Sequence, residues 1–414
     1  MSSDTGNDTA TAAARPAATV GATPQLTAAL AAAHLPAVVA LRRAVHAHPE
    51  LARAERRTTT AVAELLTGAG LAVRLLPGTG LVAEVGPEGG PAVAVRADLD
   101  ALPLEETTGL PYASAVPGVA HACGHDVHTA AVAGAGLVLA DLHRAGALGH
   151  RVRLLFQPAE EVMPGGALDL VGAGVLEGVA ALYGLHCDPS LDVGTVGLKA
   201  GPITSASDHV TVRLSGTGGH TSRPHLAGDL VFALGQVVTQ LPAVLTRRVD
   251  PRSGVNLTWG AVHAGDAANA VPAEGYAQGT LRCMETEAWQ HAGELVEDVV
   301  ADLVRPYDVR AEVVLVRGVP PVDNDVRATA VLEEAARTTL GADAVLPTRQ
   351  SLGGEDFAWY LHHVPGAMLR LGTHPPGGAR HDLHRGDYAP DEGALAVGVR
   401  VLAAAASAPR ALLR

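Results

Sequence analysis

Lysine is all but missing from this chain. Lys199 is the single one in 414 residues, and nearly all the positive charge is arginine. A Schiff-base lysine, or a carbamylated lysine bridging two metals, would have to be that residue. It follows Gly197-Leu198 on a strand-like run with no polar cluster around it, so neither chemistry has support. Cysteine is also scarce. Cys123, Cys187 and Cys283 are odd in number and scattered, which argues against a disulfide framework and suits a reducing cytoplasm. Positive charge is outweighed to a net −13, so nucleic acid is excluded as a partner. Apolar runs are interrupted by Gly, Pro or charge short of the roughly 18 residues a membrane span needs. Residues 1–25, rich in Ser, Thr, Ala and Pro, lack a basic stretch followed by an apolar one. They read as a disordered leader and not as a signal peptide.

What is present is ample apolar surface, 48% of residues, in a chain too long for one ordinary core, so two domains are expected. Helical spacing covers 26–48 and 57–67, and a long Ala/Val/Leu helix is expected at 126–142. Short continuous apolar runs at 71–76, 80–85, 92–95, 151–156 and 180–185 suit strands buried on both faces, with room for a short helix before the last. Alternating strands and helices indicate an α/β layer around a mainly parallel sheet. From about 203 to 316 the order becomes strand (209–214), helix (229–241), strands (255–262 and 275–283), helix to 304, strand (309–316). That order is ferredoxin-like and reads as an α+β insertion. The α/β pattern resumes with a helix from 326, a strand at 367–371 and a helix from 392. The catalytic domain is therefore expected to be discontinuous, 26–202 and 317–414.

Nineteen histidines in a chain with 3% aromatic residues point towards metal chemistry. In His121-Ala122-Cys123-Gly124-His125-Asp126 a thiolate and an imidazole stand one residue apart, a pair that can grip zinc or a similar ion. A solvated histidine-rich loop beside a buried cysteine would read the same. Glu160-Glu161 follow a buried strand, where two adjacent carboxylates repel unless one of them binds a cation. The other is then free to act as a general base. His186 directly follows another apolar strand, and Asp98 and Asp100 end a third. Polar strand ends in an open α/β sheet converge on one site. His374, His381 and His384 lie in a late Gly/Pro-rich loop. In the insertion, His220 sits in Gly218-Gly219-His220-Thr221-Ser222-Arg223-Pro224, with Asn269 and Arg282 further on. Arg282 ends a strand and could pair bidentately with a carboxylate.

Together these stretches, with Arg43–Glu50, Arg96–Pro103 and Gly354-Glu355-Asp356-Phe357, resemble the amidohydrolase branch of the aminoacylase/carboxypeptidase-type dinuclear metallopeptidases. That branch contains hippurate hydrolases, N-acyl-amino-acid amidohydrolases and auxin-conjugate hydrolases. The resemblance covers nearly everything after the leader. It implies a zinc-peptidase-like catalytic domain with an inserted lid or dimerisation domain, a homodimer, and two divalent ions, zinc or else manganese, cobalt or nickel. It makes Cys123, His125, Glu161, His186 and His384 the metal ligands, with Cys123 touching both ions. It makes Glu160 the general base and Asp98 the residue that orients a ligating histidine, although Arg96 stands where a histidine is usual. His220 would stabilise the transition-state oxygen, reaching the partner subunit's site, while Asn269 and Arg282 would hold the substrate carboxylate. The terminal loop lacks the usual proline, and Tyr388 four residues after His384 favours His384 over His381. The implied activity is hydrolysis of N-acyl amino acids in the cytoplasm, without membrane or nucleic-acid partners. The rivals are a dipeptidase or carboxypeptidase of the same family, a thiol hydrolase built on Cys123, and a non-catalytic metal-binding protein.

Overall fold

The computed structural model describes residues 22–409. Most of the expected leader lies outside them, and its last residues already open a helix, where the Thr23 hydroxyl accepts from the Leu26 N–H at 3.2 Å and Pro24 takes the first turn. In chain order the first part contains α1 (Pro24–Ala47), α2 (Arg56–Gly68), β1 (Ala72–Leu75), β2 (Leu81–Val85), β3 (Ala92–Asp98), α3 (His125–Arg144), β4 (Val152–Gln157), α4 (Gly166–Gly172), β5 (Val179–Asp192) and β6 (Val196–Leu198). The insertion supplies β7 (Ser207–Ser215), α5 (Leu230–Arg248), β8 (Asn256–Ala264), β9 (Glu274–Arg282), α6 (Thr286–Val304) and β10 (Arg310–Val319). The chain then returns through α7 (Val326–Leu340), β11 (Val345–Pro347), α8 (Ala358–Leu361), β12 (Gly366–His374) and α9 (Gly393–Ser407).

The larger sheet has the order β1-β2-β4-β3-β5-β12-β6-β11. Its centre, β4-β3-β5-β12, is parallel throughout, while β1, β2 and the β6–β12 pair are antiparallel. All seven residues of β3 are buried, as its unbroken apolar run requires of a strand covered on both faces. The same expectation fails at β1, an edge strand largely exposed and paired on one side with β2. One face of the sheet is covered by α1, α3, α7 and α9 around the main core; α4 and α8 pack on the other. Small residues on α3 let its neighbours come close: a Cβ on Gly134 would lie 2.6 Å from methyls of both Val38 and Val399.

The inserted sheet, ordered β8-β9-β7-β10, is antiparallel throughout and packs α5 and α6 over its own core. This is the ferredoxin-like order. α5 does not stop at Leu241 as expected but runs through Pro242 to Arg248. A proline costs one backbone hydrogen bond, yet the buried stripe Leu234, Val237, Leu241, Leu245 continues past it, so packing carries the helix on. The two crossing segments pair with each other, Ile203 N–H donating to the Val322 carbonyl at 2.8 Å and 201–202 pairing with 323–324. Among the described residues α1 and α5 are long and apolar enough to cross a membrane, although Pro36 and Pro242 interrupt their runs. Each buries one face, α1 against α3 and α9, α5 against α6 and the inserted sheet.

Candidate metal centre

Because the central strands are parallel, β3 and β4 deliver their polar ends to one edge of the sheet, and β5, which runs on past the expected end to Asp192, brings His186 there from its middle. The Cys123 loop enters there. Gly124 caps α3 in the left-handed region at φ 85°, and a Cβ at that position would stand 2.8 Å from the Cys187 sulfur. Glycine is thus required both for the turn and for the space beside it. His125, the first residue of α3, is fully buried. Its Nδ1–H donates to the Asp100 main-chain carbonyl at 2.9 Å, which leaves Nε2 without a hydrogen-bond partner.

Asp100 also builds the opposite wall. Its two carboxylate oxygens accept the backbone N–H groups of Glu160 (3.0 Å) and Glu161 (2.9 Å). The preceding residue, Ala159, is held at φ 58° with its N–H on the buried Glu55 carboxylate (2.8 Å), which also takes the Thr79 hydroxyl (2.6 Å). Two carboxylates therefore force the end of β4 to present both glutamates. Burial alone would raise Asp100, but the adjacent His125 and the hydrogen bonds from the Glu161 and Glu160 N–H groups keep its carboxyl below the usual range.

His186 donates Nδ1–H to the Cys187 carbonyl at 2.8 Å and turns Nε2 towards the Cys123 sulfur, 3.6 Å away. Burial and the nearby His128 and Arg370 hold it well below its usual value, so it is a neutral imidazole whose Nε2 lone pair faces the Cys123 sulfur. His384 adopts φ 60°, is tied by its N–H to the Ala122 carbonyl (2.8 Å) and brings Nε2 within 3.4 Å of Glu161 Oε1. Tyr388 anchors this loop from below, buried with its hydroxyl 3.1 Å from that of Thr373. His381 faces Asp387 instead.

Ligand atoms of Cys123, His125 and His186 lie within 4.8 Å of one another, and so do those of Cys123, Glu161 and His384. The two sets share the sulfur. His125 Nε2 and Glu161 Oε1 are buried with no hydrogen-bond partner among the described residues, the condition in which buried polar atoms await a ligand. One thiol, three imidazoles and one carboxylate suit a pair of borderline-soft divalent ions, so the residues fit the group.

The match to the sequence model described as peptidase family M20/M25/M40 spans residues 94–408. The chain belongs to this family. A Bacillus subtilis (strain 168) relative named N-acetyl-L-cysteine deacetylase is 37% identical over 86% of this chain and 84% of its own length. A Rhodococcus jostii (strain RHA1) protein, whose name is that of a glutamate–cysteine ligase, is 53% identical over 89% of this chain. The chain spans only 46% of that longer protein. Among solved structures, the Bacillus subtilis YxeP protein, described as a dinuclear metal-binding peptidase of the M20 family, superposes with a TM-score of 0.80 at 34% identity, covering 91% of this chain and 98% of its own. As a member of M20, the chain is an amide-hydrolysing enzyme of the metallopeptidase and amidohydrolase type.

The candidate site opens into a cavity of about 820 Å³ between the main sheet and the insertion, lined by Cys123, Glu160, Glu161, His186, His384 and Arg282 among others. The remaining expected residues are placed less simply. Asp98 is buried, but its histidine partner is His128 (2.7 Å), and Arg96 donates to its other oxygen (2.7 Å). His128 spends its second nitrogen accepting the Cys187 N–H, so it has no lone pair for an ion. The orienting partner of His125 is the Asp100 carbonyl, a main-chain group with no sequence signature. Arg96 bonds Asp98, Glu355, Asp356 and Gln157, and so does not stand in for a ligand. His220 and Asn269 are exposed, adjoin one another where 219–220 pair with 270–271, and are not among the residues lining this chain's cavity. Sequence reasoning missed Glu55 and Arg370 as parts of the site. Asp100 was a candidate beside Asp98 at the end of a buried strand, and its carboxylate holds the Glu160–Glu161 turn.

Proposed function

We propose that this chain hydrolyses the amide bond of N-acyl amino acids, releasing a carboxylic acid and a free amino acid, with two divalent ions held by Cys123, His125, Glu161, His186 and His384. The observation that carries the reading is the sharing of one sulfur by two ligand sets, with Glu160 beside them and outside both. Bound there, the ions would supply Lewis acidity towards the acyl carbonyl and a water acidic enough to react near neutral pH. The donor set suits zinc, with manganese, cobalt or nickel as alternatives for the measurement to decide. Glu160 moves the proton. Burial and its neighbours Glu355, Glu161 and Asp356 raise its proton affinity well above that of an ordinary carboxyl, which lets it hold a proton and hand it to the leaving nitrogen. Arg282, at the cavity wall, binds the substrate carboxylate.

The thiol-hydrolase rival is weakened by burial, which pushes the Cys123 thiol well above its usual value, against the opposing pull of His125. A nucleophilic cysteine needs the reverse. The Glu160→Ala variant should keep two ions per chain by elemental analysis and lose about 10³-fold in kcat on N-acetyl and N-benzoyl amino acids. Metal retained with full turnover rejects the assignment, and dipeptides hydrolysed in preference to acyl amino acids favour the peptidase rival. We also propose a homodimer in which His220 and Asn269 serve the partner's cavity, since both are exposed away from their own. Mixing His220→Ala with Glu160→Ala protein should then restore part of the lost activity. Three free, buried cysteines agree with a cytoplasmic setting.

A further inference from the structure

Arg370 lies in the middle of β12, directly opposite His186 on the parallel neighbour β5 and opposite Gly197 on β6. Residues in register on adjacent strands project from the same face, so the guanidinium shares the face of the metal-ligating histidine. Gly197 leaves it room, since a Cβ there would stand 3.3 Å from the Arg370 Cβ. The residue is only 7% exposed and lines the cavity. Its hydrogen bonds go to neutral acceptors, the Ile203 carbonyl (3.3 Å) and the Ser351 hydroxyl (3.1 Å), and none of the described carboxylates forms an ion pair with it. A buried guanidinium without a counter-charge is costly and is normally paired. Arg42 and Arg96, buried still more deeply in this chain, each have carboxylates in contact.

Inside the cavity Asp188 and Glu355 favour the charged guanidinium only through space, without contact. Glu355 is paired with Arg96, and Asp188 and Asp382 each spend an oxygen on an N–H of their own turn, those of Ser190 and Leu383. Meanwhile three further arginines line the same space, Arg282, Arg349 and Arg380. Arg282 donates to the Leu352 carbonyl, next along the loop from the serine that Arg370 binds. One substrate carboxylate at Arg282 leaves Arg370 unmatched on the metal side of that loop.

We propose that Arg370 is a second anion-binding position, and that the preferred substrates are amides carrying two carboxylates. This rests on the amide-hydrolase reading above. The second carboxylate belongs either to the amino-acid side chain or to the acyl group, and isosteric pairs distinguish the two. N-acetylglutamate against N-acetylglutamine tests the first source; N-succinyl-leucine against its terminal amide tests the second. For at least one pair the acid should exceed the amide at least tenfold in kcat/KM, through KM. Arg370→Met should bring that ratio to within about twofold of unity, and Arg370→Lys should restore part of it. Calorimetric titration of metal-loaded Glu160→Ala protein with the same compounds reads the preference without turnover. If wild type hydrolyses no acyl amino acid, the amide-hydrolase reading falls, while the binding ratios still decide the role of Arg370. Ratios near one for both pairs overturn the proposal. So does an Arg370→Met variant that weakens acid and amide equally, which would mark a structural arginine.

Discussion

Asp100→Asn is the substitution that asks most of the geometry described here. The carboxylate is 1% exposed and accepts two backbone N–H groups, one on each oxygen, from the adjacent residues Glu160 and Glu161. An asparagine of the same shape keeps one acceptor and turns a donor towards the other N–H. One charge-assisted bond is lost, and one buried N–H is left facing another donor. Bonds to charged groups contribute roughly 1.5–3 kcal/mol, and an unsatisfied buried group costs about 1–3 kcal/mol, so a loss on the order of 3 kcal/mol is expected. The turn carrying the proposed base and a proposed ligand would shift, while His125, held by the main-chain carbonyl of the same residue, keeps its anchor. A displacement of about 1 Å at such a site costs about 10²-fold in rate. The assays are melting of the metal-loaded protein, expected several degrees below wild type, and kcat on an N-acyl amino acid. An Asp100→Asn enzyme with wild-type kcat and unchanged melting would refute the claim that this carboxylate sets the glutamate turn.

Gly124→Ala should disturb the other wall: the αL penalty is about 1–2 kcal/mol, and the added methyl meets the Cys187 sulfur, so weaker metal retention on dialysis is expected and full retention would count against the packing argument. Prolonged chelation should abolish activity and lower the melting temperature, with both restored by divalent metal; activity that survives chelation but not alkylation would revive the thiol reading. A third test concerns pH. His46 lies between Asp126 (2.8 Å) and Glu106 (3.2 Å) and, although burial opposes it, these carboxylates raise it to about 9. A raised folded value means its stabilisation, at most about 3 kcal/mol, is complete below about 6.5 and is lost as pH rises through 9. Glu106, lowered to about 2 against the effect of burial by hydrogen bonds led by that from His46, contributes above about 4.5 and fades as pH falls towards 2. His46→Gln should flatten the alkaline limb of a melting-temperature profile; an unchanged limb would remove His46 as its source.

The elements themselves were largely legible, because hydrophobic periodicity is local. Helices α1, α2 and α3 lie within a few residues of where spacing puts them, and the insertion follows its strand and helix order. Errors came where non-local packing overrode a local signal: β1 at the sheet edge, and α5 running past Pro242. Histidine-rich and acidic strand ends were visible as candidates, since few structural roles call for a thiol, imidazoles and paired carboxylates at the tips of buried strands.

The amino-acid order alone determined which side chains could bind cations and that parallel strands would carry them to one edge, since strand burial and residue chemistry are written residue by residue. Partners were decided only in three dimensions. That Asp98 turns to His128, that a main-chain carbonyl aligns His125, that His220 and Asn269 stand apart from their own cavity, and that Arg370 is buried with no described carboxylate in ion-pair contact all depend on register and distance between segments far apart in the chain. Hydrogen-bond pairing reaches only about 3 Å, and nothing short of the folded backbone says which groups come that near.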